Sequence, residues 1–145
     1  MVECTCFCYV FYDGKFYFVV TDTAKGNHKV PVVQVNENVG DPEGMLVSEI
    51  KRFGLLADRN RLVRFEENTA NKTATFFMKS VVETEVVKGM SVSSVEDLFN
   101  NICRDQFKSF ILLLSKMKRS GEFVNTEIEF FRKMEELRSP VKGPV

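Results

Sequence analysis

The sequence predicts an α/β (α+β) sandwich, in which helices flank a mixed β-sheet. Two observations lead to this fold class. Segments rich in β-branched and aromatic residues fill most of the first two thirds of the chain, and one short amphipathic segment interrupts them. The segments that follow carry apolar residues at helical spacing. The order of strands, one helix, more strands and then helices is typical of a mixed sheet with helices on its faces.

The first two strands are predicted to form a hairpin. Residues 4–10 and 16–21 are rich in aromatic and β-branched side chains. Between them lies Asp13-Gly14, a pair that tolerates the positive φ angles of a tight turn. Cys4, Cys6 and Cys8 fall at period two and therefore share one face of the first strand. This spacing favours small buried apolar side chains over a zinc site, which prefers two to four residues between its cysteines.

The next segments predict a strand followed by a short helix. Residues 30–35 are nearly all Val, which favours a strand buried on both faces. Residues 45–53 place apolar side chains at helical spacing, and Gly54 is positioned to end that helix.

The second half of the chain predicts three strands and three helices. The strands are residues 61–65, 73–82 and 86–92. Ser93 and Glu96 have the spacing of a capping box, so they predict the start of a helix over residues 94–103. A second helix is predicted within residues 106–119, because its apolar residues recur every three or four positions.

The C-terminal region predicts an amphipathic helix and a disordered tail. The domain is assigned to residues 1–121, the helix to residues 122–138 and the tail to residues 139–145, which contain Pro and Gly. One face of the helix carries Ile128, Phe131, Met134 and Leu137. This stripe must be buried, either on its own domain, on a protein partner or on a second copy of the chain.

Composition excludes several classes of protein. With 145 residues, 44% of them hydrophobic, the chain is long enough for a core of its own. Twenty basic and twenty acidic residues cancel, so net charge gives no argument for nucleic acid or an anionic membrane. No apolar run reaches the roughly 18 residues of a membrane span, and Glu3 without a basic region argues against a secretory signal. We therefore expect reduced thiols and a cytoplasmic, possibly nuclear, location.

Several stretches together resemble the Nudix hydrolases, over roughly residues 5–118. They are the hairpin of residues 8–16, the strand that leads through a Gly-containing loop into a helix over residues 30–53, and the late strand that enters a capped helix over residues 87–98. The stretch Glu49-Ile50-Lys51-Arg52-Phe53-Gly54-Leu55 stands where the family has its "Arg-Glu-apolar-x-Glu-Glu-x-Gly-apolar" core. The resemblance implies the Nudix fold and metal-assisted hydrolysis of a diphosphate.

The paired glutamates of that core are missing here. An ungapped count from Gly54 puts Lys51 and Arg52 at the pair. A one-residue deletion makes Glu49 the first glutamate and puts Arg52 and Phe53 at the pair. Neither register supplies the two adjacent carboxylates of the family. Because Mg²⁺ is held by oxygen ligands, we expect no bound metal or other cofactor.

Lys51 and Arg52 are the candidate ligand-binding residues. If these residues lie on a solvent-exposed helix face, they contribute little to stability or binding. If they lie in the former catalytic cleft, they would bind the phosphates of a ligand or of RNA. Arg59, Arg61 and Arg64 follow soon after in the sequence and are candidates to extend such a basic patch. Arg61 and Arg64 would lie on opposite faces of a regular strand, so only one of them can do so.

Two functions follow from these patterns. The first is a catalytically inactive Nudix-like domain that acts as a protein-interaction or ligand- or RNA-binding module. The alternative is a divergent pyrophosphohydrolase that holds Mg²⁺ through rearranged carboxylates, for which Glu43, Glu49 and Glu83 are the candidates.

Overall fold

A mixed β-sheet lies between two helical layers, as the sequence predicts. The computed structural model describes residues 1–12, 15–36, 38, 40–82 and 91–117. The elements in these ranges are β1 (Val2–Tyr12), β2 (Lys15–Val20), β3 (Val32–Val35), α1 (Pro42–Lys51), β4 (Leu55–Asn68), β5 (Thr73–Val82), β6 (Ser91–Ser94), α2 (Val95–Asn101) and α3 (Arg104–Met117). Within the described ranges, no helix has the length and apolar character needed to cross a membrane.

Some predictions fall on parts of the chain that are not described. The Asp13-Gly14 turn and Glu83 lie outside the described residues. The same holds for the helix of residues 122–138, with Ile128, Phe131, Met134 and Leu137, and for the tail. These stay predictions.

Strand β1 organises the sheet, whose order is β4-β5-β1-β2-β6. On one side β1 runs parallel to β5, from Glu3 opposite Thr73 to Tyr9 opposite Lys79. On the other side its first residues pair with β3 and its last residues with β2, both antiparallel. One long strand can therefore hold two partners on the same edge.

The two faces of the sheet have separate cores, because side chains alternate along a strand. Phe7 and Tyr9 of β1 face α2 and α3, where the Phe7 and Phe110 rings stack with centroids 5.7 Å apart. Cys4, Cys6 and Cys8 face α1 instead. The predicted assignment of these cysteines to one buried face is confirmed.

Helix α1 begins and ends at residues with recognisable capping roles. The Asp41 carboxylate accepts a hydrogen bond from the Gly44 N–H at 3.2 Å, and Pro42 occupies the first turn. The chain leaves the helix through Gly54, whose φ of 77° favours glycine. Leu46 and Ile50 are buried against the sheet.

Two local predictions are wrong. The strand β6 extends through Ser94, so Ser94 rather than Ser93 caps α2, and its hydroxyl accepts from the Asp97 N–H at 3.1 Å. Strand β3 is buried on one face only, and Val32 is 41% exposed. The reason is that α1 covers β3 on one side, whereas its other face points to solvent.

Candidate functional site

The C-terminal end of α1 presents the predicted ligand-binding residues to solvent. Lys51 and Arg52 are both exposed. The Arg52 guanidinium lies 3.2 Å from the Glu49 carboxylate, and the two side chains are 77% and 27% exposed. These three side chains, two cations and one carboxylate, therefore carry a net positive charge. Cations are also favoured here by the partial negative charge of a helix C-terminus.

Of the three candidate catalytic carboxylates, the structure describes Glu43 and Glu49, and it does not bring these two together. Glu43 lies in the first turn of α1 and Glu49 six positions later, which separates them by about 9 Å along the helix axis. Glu49 pairs with Arg52, whereas Glu43 lies 3.9 Å from the Nε of Arg59. Within the described ranges, no group of three or more His, Cys, Asp or Glu residues is arranged to hold a metal ion. The donor set described here does not fit Mg²⁺.

Arg59 reaches from β4 to the opposite end of α1. Its guanidinium donates two hydrogen bonds to the Asp41 carboxylate, at 2.5 and 2.9 Å. These bonds and the bond from the Gly44 N–H lower the pKa of Asp41 below its usual 3.8. A Cβ on Gly44 would collide with this carboxylate, so the cap and its arginine form a closely fitted unit.

The predicted extension of the basic patch is therefore wrong for two arginines. Arg59 lies at the N-terminal end of α1, away from Lys51 and Arg52. Arg64 faces Glu67, with Nη1 and Oε1 3.5 Å apart. Both sit near the same end of the helix because β4 runs back along it. The closeness of Arg59 and Arg64 to Lys51 and Arg52 in the sequence did not predict this placement.

A pocket of about 380 Å³ opens beside the first turn of α1. No pattern in the sequence predicted it. It forms where α1 meets the starts of β1 and β5, the end of β3 and the second half of β4. Its lining consists of Val2, Cys4, Val35, Asp41, Pro42, Glu43, Leu46, Arg64, Glu67, Ala74 and Phe76. The available signal was the small size of Cys4 and Ala74, which leave space beside the larger Phe76.

The buried thiols of Cys4 and Cys6 do not have the chemistry of reactive thiols. Burial raises the pKa of Cys4 to about 11 and that of Cys6 well above its usual 9.0. A thiol with such a pKa stays protonated at neutral pH and is a poor nucleophile or metal ligand. Cys4, Cys6 and Cys8 therefore act as small apolar core residues.

Comparison with known proteins shows similarity at the level of structure. No family model and no curated protein matches this sequence. An Ap4A hydrolase from C. elegans superposes with a TM-score of 0.51 at 14% identity, over 78% of this chain and 94% of that chain. Weaker similarity links the chain to the NUDIX domain of Shewanella oneidensis NrtR in complex with ADP ribose, with a TM-score of 0.47 at 9% identity over 81% of this chain and 88% of that one. From the layered mixed sheet and the first of these similarities, we conclude that the chain has a Nudix-like fold.

Proposed function

We propose that this Nudix-like domain binds a phosphate-containing ligand without hydrolysing it, through Lys51 and Arg52 at the basic end of α1. The observation that carries the proposal is the ion pair between Arg52 and Glu49. It places a guanidinium beside Glu49, where a metal-dependent hydrolase of the family would need further carboxylates.

The burial of Ile50 supports one of the two possible alignments with the Nudix core. Ile50 is fully buried, as suits the apolar residue that follows the first glutamate of that core. Glu49, directly before it, then corresponds to this first glutamate. In that alignment Arg52 and Phe53 stand at the paired glutamates, and Phe53 packs against the core on the α1 side of the sheet.

The side-chain charges of Glu49, Lys51 and Arg52 suit an anion better than a metal cation. The Arg52 guanidinium offsets the Glu49 charge, and Lys51 adds a second positive group. Guanidinium and ammonium groups donate charge-assisted hydrogen bonds to phosphate oxygens. The same positive charges repel a divalent cation. For the alternative hydrolase, Glu43 and Glu49 alone do not form a metal site, because about 9 Å of helix separates them.

Hydrolysis assays test the claim that the chain does not hydrolyse its ligand. The purified chain is incubated with Ap4A, ADP-ribose and nucleoside diphosphate sugars, with and without Mg²⁺ or Mn²⁺, and released phosphate and nucleoside monophosphate are measured. We expect no release above that of a heat-inactivated sample. Release that requires the added metal ion would establish the alternative, a divergent pyrophosphohydrolase.

Binding assays test the claim that Lys51 and Arg52 bind a phosphate-containing ligand. Isothermal titration with the same compounds in the absence of metal should detect affinity in the wild-type chain. We expect Lys51→Ala/Arg52→Ala to weaken it by roughly tenfold or more, because a hydrogen bond to a charged group contributes about 1.5–3 kcal/mol. Lys108→Ala is the matched control, since Lys108 is an exposed cation on α3 at the other face of the sheet. Equal affinity in both variants would refute the assignment to α1.

A further inference from the structure

The pocket beside the first turn of α1 is separate from the basic end of the helix. The ten residues of α1 place the two ends about 15 Å apart at 1.5 Å per residue. The volume of about 380 Å³ falls in the range of roughly 300–1,000 Å³ that is usual for small-molecule sites. A ligand in this pocket would therefore not contact Lys51 or Arg52.

The floor of the pocket is apolar and well buried. It is formed by side chains from β1, β3, α1 and β5, each at most 7% exposed: Cys4, Val35, Leu46, Ala74 and Phe76. The Cys4 thiol stays neutral because burial raises its pKa to about 11. The floor therefore offers an apolar ring or chain a surface without charge.

The rim of the pocket carries an excess of negative charge. Three carboxylates line it, those of Asp41, Glu43 and Glu67, together with the guanidinium of Arg64. Arg59 binds Asp41 through two hydrogen bonds, and Arg64 lies 3.5 Å from Glu67. These two pairs are neutral overall. Glu43 is the remaining charge, since its ion pair with Arg59 is long, at 3.9 Å, and that arginine is already engaged by Asp41.

We propose that this pocket binds a small organic cation. The apolar body of the ligand occupies the floor between Leu46 and Phe76, and its ammonium or amidinium group contacts the Glu43 carboxylate at the rim. Glu43 is half exposed, so a ligand cation reaches it directly from solvent. An anionic ligand of the same shape is disfavoured, because its charge would add to the excess carboxylate.

Three probes of nearly equal shape separate charge from apolar contact. They are phenethylammonium, 2-phenylethanol and phenylacetate, each titrated into the ¹⁵N-labelled full chain and followed by NMR. We expect phenethylammonium to bind about tenfold more tightly than the alcohol, and phenylacetate to bind most weakly. Shifts should concentrate at the amides of Leu46 and Ala74 and spare Leu98, which lies on the other face of the sheet.

Substitutions then locate the site. Glu43→Gln should remove the preference for phenethylammonium over the alcohol, whereas Glu96→Gln, an exposed carboxylate on α2, should keep it. Ala74→Leu should fill the floor and abolish binding of all three probes, and its NMR spectrum verifies the fold. The proposal is overturned if the amine and the alcohol bind equally, if Glu43→Gln keeps the preference, or if no probe binds at millimolar concentration. None of these results depends on whether Lys51 and Arg52 bind phosphate.

Discussion

Arg52 holds its guanidinium 3.2 Å from the carboxylate of Glu49, three residues earlier on the same face of α1. An intrahelical pair of this kind neutralises the acid locally and needs no metal ion. Because the Arg52 side chain is 77% exposed, water screens the attraction, and the pair contributes little to folding. Its consequences should therefore appear in ligand binding and not in stability.

Arg52→Ala should separate these two roles. We expect its free energy of unfolding in urea to stay within about 0.5 kcal/mol of the wild type, as for other exposed i,i+3 pairs. Its affinity for a phosphate-containing ligand should fall at the same time. A loss of stability of more than about 2 kcal/mol would instead show that the pair has a structural role.

Arg52→Glu should create a weak site for a divalent cation. The substitution puts two carboxylates, Glu49 and the new glutamate, three residues apart on one helix face, where they repel each other by roughly 0.2–0.5 kcal/mol without metal. Mn²⁺ would bind between them and stabilise the folded state by linkage. The measurement is the change of melting temperature with added Mn²⁺. We expect an increase for Arg52→Glu, but none for the wild type or for the charge-matched control Lys51→Glu, whose new carboxylate has no acidic residue three or four positions away.

Gln106 is expected to be a strong stability determinant. Its side-chain amide donates to the Val30 carbonyl at 3.1 Å and accepts from the Val30 N–H at 2.8 Å, and both residues are buried. Gln106→Ala leaves both backbone groups without these partners, at a cost of about 2–4 kcal/mol in total. Urea unfolding measures this loss. The control Gln34→Ala, at an exposed position of β3, should change stability by less than about 0.5 kcal/mol.

Asp41 should give the protein an acid-sensitive component of stability. Its folded pKa lies below the usual 3.8, first because of the hydrogen bond from Arg59, so the folded state favours the ionised carboxylate. The stabilisation is therefore fully present above 3.8 and is lost as the pH falls through the lower folded pKa.

Asp41→Asn removes this titration and keeps a residue that caps helices well. The test compares urea unfolding of both proteins as the pH is lowered from neutral to below 3.8. We expect the gap in stability between wild type and Asp41→Asn to narrow over the acidic part of that range. A gap that stays constant with pH would contradict the assigned cause.

Local patterns predicted the layers of the fold well. The period-two spacing of the β1 cysteines depends on neighbouring positions only, so their buried face follows from the sequence. The helical spacing of α3 predicted the buried Phe110, but Phe107 on the same predicted face is 44% exposed. The cap of α2 was misplaced by one residue because Ser93 and Ser94 are chemically equivalent caps. The pairing of β6 with β2 continues through Ser93 to Ser94, so the helix starts one residue later, and no local pattern contains this pairing.

The candidate sites were less predictable because they depend on contacts between distant residues. The basic residues at the end of α1 were found from the sequence alone, since they belong to one helix. The hydrogen bond from Arg59 to Asp41 joins residues that are 18 positions apart in the sequence. Arg59 lies in an irregular part of β4, between Ala57 and Leu62. The pocket needs side chains from five elements, and its volume follows from their packing.

The C-terminal segment gives a last prediction, about partners. The core of the described residues includes Phe110 and Leu113 of α3, so we expect a chain that ends at Gly121 to fold with a melting temperature close to that of the full chain.

The stripe of Ile128, Phe131, Met134 and Leu137 is then free to be tested as a docking element. Phe131→Glu places a charge on the stripe, whereas Phe130→Glu, off the stripe, is the matched control. In pull-downs and sedimentation velocity, truncation and Phe131→Glu should each abolish partner capture or self-association, and Phe130→Glu should retain it. If the truncated chain retrieves the same proteins as the full chain, the segment does not dock a partner.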